Sequence, residues 1–234
     1  MIEKDGKFFV SIPTDGLPKK KSMPLSKRDP NNKTHFVIIG GGPAGLNCAE
    51  TLRQSGFTGQ ITVLSREEAV PYDRTLLSKA LGSGDPSKWT LRPEDYLKDA
   101  DIDYKLKSGV FAVNTEVKKV ITVQGKHIYY DKLLIASGSN VWAPPVKGLE
   151  RDRRGNVTPK NVFFLRTDKD QQAIKEACAK AKKVVIIGAS FIGSECASSL
   201  KGQFKDEIEI DVINAENTPF ERTLGKQVGE FLAA

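Results

Sequence analysis

The stretch that most constrains this chain is Phe36–Leu52. Its first four residues, Phe36 to Ile39, are too few for a helix and suit a strand buried on both faces. They run into Gly40-x-Gly42-x-x-Gly45, after which apolar residues fall at Leu46, Ala49 and Leu52, a helical spacing. In such a strand–turn–helix the first glycine permits the sharp turn and the second leaves room for a pyrophosphate against the backbone. The third lets the helix lie close on the strand. Pro43 falls in the first helical turn, where its missing N–H costs nothing. The free amides and the positive end of the helix dipole then face the phosphates of a dinucleotide.

A second copy lies at Val184–Leu200. It repeats Val37, Ile38, Ile39, Gly40, Gly45, Cys48, Ala49 and Leu52 as Val185, Ile186, Ile187, Gly188, Gly193, Cys196, Ala197 and Leu200. Two such units suggest two nucleotides, one for each βαβ unit. That is the plan of a flavoprotein that takes hydride from a nicotinamide.

At 234 residues one or two domains are expected, and 39% apolar with 28% charged residues fits a soluble globular chain. No apolar run approaches the roughly 20 residues that span a bilayer. The net charge of +7 comes from scattered lysines, apart from Lys19-Lys20-Lys21 and Lys27-Arg28. These read as solvated linker charge, and no nucleic-acid partner is expected. Cys48, Cys178 and Cys196 form no CxxC or wider redox pair, so they read as three buried thiols. The start, Met1 to Lys7, resembles neither a signal peptide nor a transit peptide.

Along the chain, residues 2–12 read as a short strand pair around Asp5-Gly6, and 13–33 as an extended linker rich in proline and lysine. The first βαβ unit takes strand 36–39, helix 44–55 and strand 61–65. An acid near the end of the latter would bind adenosine ribose hydroxyls. Glu67 is preferred over Glu68, the other reading being that both are surface acids. Helix 93–100 leads to strands 102–106, 109–113 and 118–124, which end in a meander. Asp131–Ile135 is a strand, and the small residues Ala136-Ser137-Gly138 after it suit backbone approach to a ligand. Residues 139–160 connect. Strand 162–165, helix 168–181 and the second unit follow, the latter as strand 184–187, helix 191–201 and strand 208–213, with another helix begun at Leu224. The domain reading is thus an N-terminal strand and linker (1–33) and the first part of an FAD-binding domain (34–160). A connector (161–182) and an NAD(P)-binding unit (183–234) complete it. A lone βαβ of this length buries too little apolar surface to stand alone. The second unit therefore reads as truncated, or as completed by partner chains.

The glycine motif, Pro71–Lys79, Ala136–Gly138 and Gly188–Glu195, in this order and spacing, resemble the FAD-dependent pyridine-nucleotide oxidoreductases of the ferredoxin-reductase and apoptosis-inducing-factor type. Cys48–Gln54, Pro71–Arg74, Leu77–Lys79 and Thr218–Gly225 look most like the Rieske-bearing, apoptosis-inducing-factor-like branch. The resemblance covers residues 34–234 and implies an α/β fold: two Rossmann-like βαβ units in the three-layer FAD/NAD(P)-binding architecture. It implies that Gly40, Gly42, Pro43, Ala44 and Gly45 cradle the FAD pyrophosphate, that Arg74 contacts FAD and that Lys79 sits by its isoalloxazine. Val110 would meet the adenine by its backbone. Ala136, Ser137 and Gly138 would pass behind the cofactor, and Arg166 would hold it near the second domain crossing. On the NAD(P)H side Gly188, Ser190 and Gly193 form the cap, and Phe191 and Ile192 approach the nicotinamide. Glu195 would pair with Lys79 across the flavin.

This chain departs from the family pattern at four places. Thr75 stands where a proline is usual, which would loosen the turn carrying Lys79. Arg66 stands where the ribose acid often aligns. Ser190 occupies the middle glycine position of the second motif, and Asn214 the position of an acid, which would weaken NAD(P)H binding several-fold to about tenfold. The implied activity is hydride transfer from NAD(P)H to FAD, then electron transfer to an iron–sulfur acceptor protein or Rieske domain, in the mitochondrion by resemblance and otherwise in the cytoplasm. The alternative is a truncated, inactive relative serving as an accessory subunit, because the family's later Gly-Asp segment and interface domain are missing from these residues. No metal set is expected: the two histidines, His35 and His127, stand in no Cys-x-His pair.

Overall fold

A computed structural model describes residues 2–9, 23–81, 85–149, 159 and 161–233. The expectations for residues 10–22, including the Lys19–Lys21 run, and for 150–158 and 160 of the connecting stretch 139–160 lie outside these. Strands β1 (Ile2–Lys4) and β2 (Lys7–Phe9) pair antiparallel. They turn at Asp5-Gly6, whose φ values of 55° and 69° give the double left-handed conformation of a tight hairpin turn.

The first unit contains β3 (His35–Ile39), α1 (Pro43–Gln54), β4 (Gln60–Leu64), α2 (Leu76–Lys79) and a 3-10 turn at Pro86–Trp89. After these come α3 (Glu94–Asp99), β5 (Ile102–Lys105), β6 (Val110–Asn114), β7 (Lys119–Thr122), β8 (His127–Tyr129) and β9 (Lys132–Ile135). The parallel sheet has the order β5-β4-β3-β9. Strand order reverses at β3, so the turns after β3 and β9 flank a crevice at the carboxyl ends, where such sheets hold nucleotides. Helices α1 and α3 cover one face through Ile38, Leu46, Ala49, Ile61, Val63 and Leu97. The antiparallel β6-β7-β8 sheet covers the other, packing Val120 against Val37, Ile39 and Leu64. Three layers result, because the central strands carry apolar residues on both faces.

The second unit is α4 (Asp168–Cys178), β10 (Lys183–Ile187), α5 (Phe191–Phe204) and β11 (Glu209–Ile213), followed by α6 (Glu221–Leu224) and α7 (Lys226–Ala233). Strands β10 and β11 are parallel. Their inner residues Val184, Ile186 and Ile210 pack with Cys178, Cys196, Leu200 and Ile208. Leu81, from the stretch after α2, is 2% exposed in this same cluster, so the two units share a core. Helix α4 begins with a capping box in which Thr167 Oγ1 accepts from the Asp170 amide and Asp170 accepts from the Thr167 amide. Thr167→Ala should therefore lower unfolding free energy by about 1 kcal/mol, read as an earlier urea midpoint.

Three expectations are corrected. Residues 162–165 join none of the four sheets of the described residues, since an extended stretch becomes a strand only beside a backbone free to pair with it. Residues 23–33 are not a free linker. Ser26 N–H donates to Arg53 O, its hydroxyl donates to Phe57 O, and Leu25 packs on the first core. Of the thiols, Cys178 and Cys196 are buried but Cys48 is only half-buried. All three are free, and burial pushes each thiol up, that of Cys196 to about 11.

Candidate functional site

The first glycine turn is built from backbone packed on backbone. Gly40 has φ +114°, and a Cβ there would stand 2.1 Å from Ala136 O. A Cβ on Gly45 would stand 2.0 Å from Gly40 O, so only glycine lets α1 lie this close to the turn. Gly42 differs: a Cβ there meets nothing within 4 Å. As the N-cap of α1 it offers no side chain to the helix, so the amides of the first turn gain no side-chain cap. Pro43 and Ala44 beside it are exposed. A rigid turn, open space at its middle glycine and uncapped amides fit a diphosphate.

One residue that braces this turn carries no sequence signal. Tyr104 of β5 donates its hydroxyl to Gly41 O at 2.6 Å, and burial pushes the phenol up to about 12. A Cβ on Gly41 would stand 2.0 Å from that hydroxyl. Gly41 thus has its own steric requirement, hidden inside a run of three glycines.

Around the turn the distant candidates converge. Ala136 N–H donates to Ile39 O at 2.7 Å, and Gly138 follows with φ +70°. The Arg166 guanidinium lies 3.3 Å from where a Gly138 Cβ would be. Arg74 donates to Arg166 O at 2.5 Å and pairs with Glu67 at 2.6 Å. Buried Tyr72 donates to the other Glu67 oxygen at 2.6 Å and accepts from Arg74 and from the Asp168 amide. Desolvation, then the Glu67 carboxylate, drive the Tyr72 phenol far above its ordinary value. Both Glu67 oxygens therefore hold protein partners, each keeping one further acceptor direction. Glu68 instead pairs with Lys107 and Lys169, turned toward α4. Val110 starts β6 at an irregular step in its pairing with β7, its side chain against the Val120 cluster.

The turn carrying Lys79 is not loosened by Thr75. The Thr75 amide and hydroxyl both donate to the Asp73 carboxylate, at 2.9 and 2.7 Å, while Asp73 N–H donates to Trp89 O. A side-chain bridge does there what a fixed proline ring would do.

The second turn repeats the first in part: a Cβ on Gly188 would meet nothing within 4 Å, unlike one on Gly40. Gly188 has φ +107°, and a Cβ on Gly193 would stand 1.8 Å from Gly188 O. Ser190 is the exposed N-cap of α5 and makes no capping bond. Asn214 does not stand free beside it. Its amide donates to Glu216 O and Thr218 O, and its oxygen accepts from Ala189 N–H at 3.4 Å, bracing the turn. Phe191 and Ile192 are 49% and 61% exposed at the mouth, Phe191 edge-on to Phe220 with centroids 5.1 Å apart.

Lys79 and Glu195 link the two units: Nζ lies 2.9 Å from Oε1. Ser78, which the Leu77–Lys79 motif contains without assigning it a role, donates to the other carboxylate oxygen at 2.5 Å. These two bonds, the hydroxyl's first, hold the Glu195 carboxyl below the usual range. An open cavity of about 600 Å³ runs from Lys79 and Glu195 along Ser194, Ser198 and Gly202 of α5.

A family model described as pyridine nucleotide-disulphide oxidoreductase matches residues 34–234. Human apoptosis-inducing factor 3 is 36% identical over 202 residues, which are 86% of this chain and 31% of that protein. Rhodocoxin reductase of Rhodococcus erythropolis is 32% identical, over 85% of this chain and 44% of its own length. Among solved structures, a ferredoxin reductase from Rhodopseudomonas palustris matches with TM-score 0.75 and 28% identity, over 86% of this chain and 47% of that one. The reductase–putidaredoxin covalent complex matches with TM-score 0.74 and 28% identity, over 87% and 47%. The chain spans less than half of each of these proteins.

Proposed function

The chain belongs to the pyridine nucleotide-disulphide oxidoreductase family, and on that premise we propose that it is a flavin-dependent reductase module. It holds FAD at the first turn, receives electrons from NAD(P)H at the second and passes them to an iron–sulfur protein. The observation that carries this reading is the pair of like-built glycine turns joined by the Lys79–Glu195 bridge. The names of the relatives, which include ferredoxin, rubredoxin and rhodocoxin reductases, support a small electron-carrier protein as acceptor. On this reading 34–160 is the FAD-binding part, 161–182 the connector and 183–234 the NAD(P)-binding part, after an N-terminal strand and linker at 1–33.

The residues divide the work by chemistry. The Ala44 and Gly45 amides take the FAD pyrophosphate, and the open space at Gly42 admits it. Arg74 and Arg166 lie where the connector crosses the crevice and bind phosphate or ribose oxygens through planar donors. Glu67 fixes Arg74 and keeps acceptor directions for ribose hydroxyls. Ala136, Ser137 and Gly138 wall the crevice by backbone, and the Val110 backbone serves the adenine. Lys79 sets a cation beside the ring system, where it favours negative charge. Bound FAD supplies what no side chain here supplies, acceptance of a hydride and its release as single electrons. Gly188, Ser190 and Gly193 receive the NAD(P)H pyrophosphate, and Phe191 and Ile192 give the nicotinamide an apolar seat. The three thiols, raised by burial, are poor nucleophiles for a competing disulfide relay.

The test is direct. Purified protein titrated with FAD should take up one flavin per chain, with a shifted visible spectrum, and anaerobic NADH or NADPH should bleach it. A chain that takes up no flavin, or whose flavin neither nucleotide bleaches, would overturn the reading.

A further inference from the structure

We propose that Ser78 is a positioning residue for the reductase reaction: its hydroxyl holds the Glu195 carboxylate in the one orientation that also meets Lys79. The inference rests on the proposed function for its catalytic meaning, but its geometric core does not. Ser78 is 7% exposed, on the short helix α2 that packs against α5. Its single hydroxyl proton has two acceptors in reach, Glu195 Oε2 at 2.5 Å and Thr75 O at 3.4 Å. The shorter, charge-assisted bond takes it. Lys79 Nζ is likewise shared, between Glu195 Oε1 at 2.9 Å and Thr75 O at 3.3 Å.

The division of labour follows from burial. The Lys79 side chain is 49% exposed and flexible, so its bridge to Glu195 is screened and exchanges with water. Ser78 has one rotatable bond before its oxygen and is buried, as are Leu77 and Leu81 beside it in the chain. The serine fixes the direction of the carboxylate plane, and the lysine supplies charge. Helix α2 is itself pinned from α4, where the buried Gln171 amide donates to Ala80 O at 3.0 Å. The groups acting on Glu195 are Ser78 and Lys79 of α2, and its own neighbour Cys196 feels its charge.

The experiment compares Ser78→Ala and Ser78→Thr with the unmodified protein, with Glu195→Gln as the assignment control. The Glu195 carboxyl is titrated by carbon NMR on protein labelled at glutamate, without flavin. Ser78→Ala is expected to move the Glu195 midpoint upward and Ser78→Thr to return it toward the original. In flavin-loaded protein Ser78→Ala should slow NAD(P)H-driven bleaching about tenfold, the worth of one charge-assisted bond, and move its acid limb to higher pH. An unmoved Glu195 midpoint in Ser78→Ala overturns the proposal. So does a threonine variant that behaves like the alanine one. Should Ser78→Ala fail to fold, Ser78→Cys, of similar size but a weaker donor, takes its place with the same two outcomes. If the unmodified protein binds no flavin, the functional reading falls, while the carboxyl titration still decides whether the serine holds Glu195.

Discussion

Gly42→Ala should leave this chain folded and weaken the proposed flavin binding, while Gly40→Ala and Gly45→Ala should destabilise the fold itself. The three glycines share one motif but carry different loads. Gly42 has φ −79° and ψ −174°, backbone that any residue adopts, and a Cβ there meets no protein atom within 4 Å. Its replacement should cost less than about 1 kcal/mol of stability, the usual penalty for alanine at an N-cap. The added methyl instead projects into the space proposed for the pyrophosphate, and flavin affinity should fall on the order of a hundredfold, roughly 3 kcal/mol. Gly40 has a left-handed φ of +114°, and its Cβ would press on the Ala136 carbonyl at 2.1 Å. Gly45 would press on the Gly40 carbonyl at 2.0 Å. Neither neighbour is a side chain that can turn aside, so losses of roughly 3 kcal/mol or more are expected. Urea unfolding followed by circular dichroism separates the two classes, and an FAD titration reads the affinity. A Gly42→Ala protein that bound FAD as tightly as the unmodified one would remove the first turn as the flavin site.

Arg53→Met should cost about 3–5 kcal/mol without touching any ligand. Arg53 is 0% exposed near the end of α1, and its guanidinium donates to four main-chain oxygens. Nε reaches Ala100 O at 2.9 Å, Nη1 reaches Phe57 O at 2.7 Å and Gly59 O at 2.9 Å, and Nη2 reaches Asp101 O at 2.7 Å. One planar side chain thereby ties the turn that leads into β4 to the turn that leads into β5. Removing it leaves buried carbonyls without donors, and their desolvation is the source of the expected loss. Arg53→Lys should recover only a part, because a single ammonium cannot span acceptors on both turns. A methionine variant that unfolds within 1 kcal/mol of the original would show that water enters and satisfies those oxygens.

The two βαβ units were legible because a buried parallel strand and an amphipathic helix have different apolar periods, and the change of period falls at the glycines. The three-layer arrangement follows from strands apolar on both faces. What escaped the sequence is what depends on partners far along the chain. Helix α2 spans four residues, Leu76–Lys79, too few to show any period. Arg53 looks like a surface arginine until its four acceptors, up to 48 residues away, are assembled. Ser78 and Tyr104 are ordinary residue types whose importance lies in one bond each. The position of Glu67 after β4 is legible, but the claim of Tyr72 and Arg74 on its carboxylate is not. Residues 162–165 have the composition of a strand and lack only an adjacent backbone to pair with. The sequence prefers Glu67 to Glu68 without showing where either side chain turns, and the fold turns one toward Arg74 and the other toward Lys107 and Lys169.

The residues just after the Lys79 turn have a mechanical consequence. Leu81 belongs by sequence to the first unit and is interred with Cys178, Cys196 and Leu200 of the second. The two halves cannot swing apart about this point without exposing that leucine to water and stripping Ala80 of the amide of Gln171. The amide proton of Ala80, which bonds to Leu76 O, should therefore exchange with deuterium as slowly as those at the centre of α5. On the proposed function, nucleotides enter and leave past the exposed Phe191 and Ile192 at the rim, through a cleft whose spine stays still.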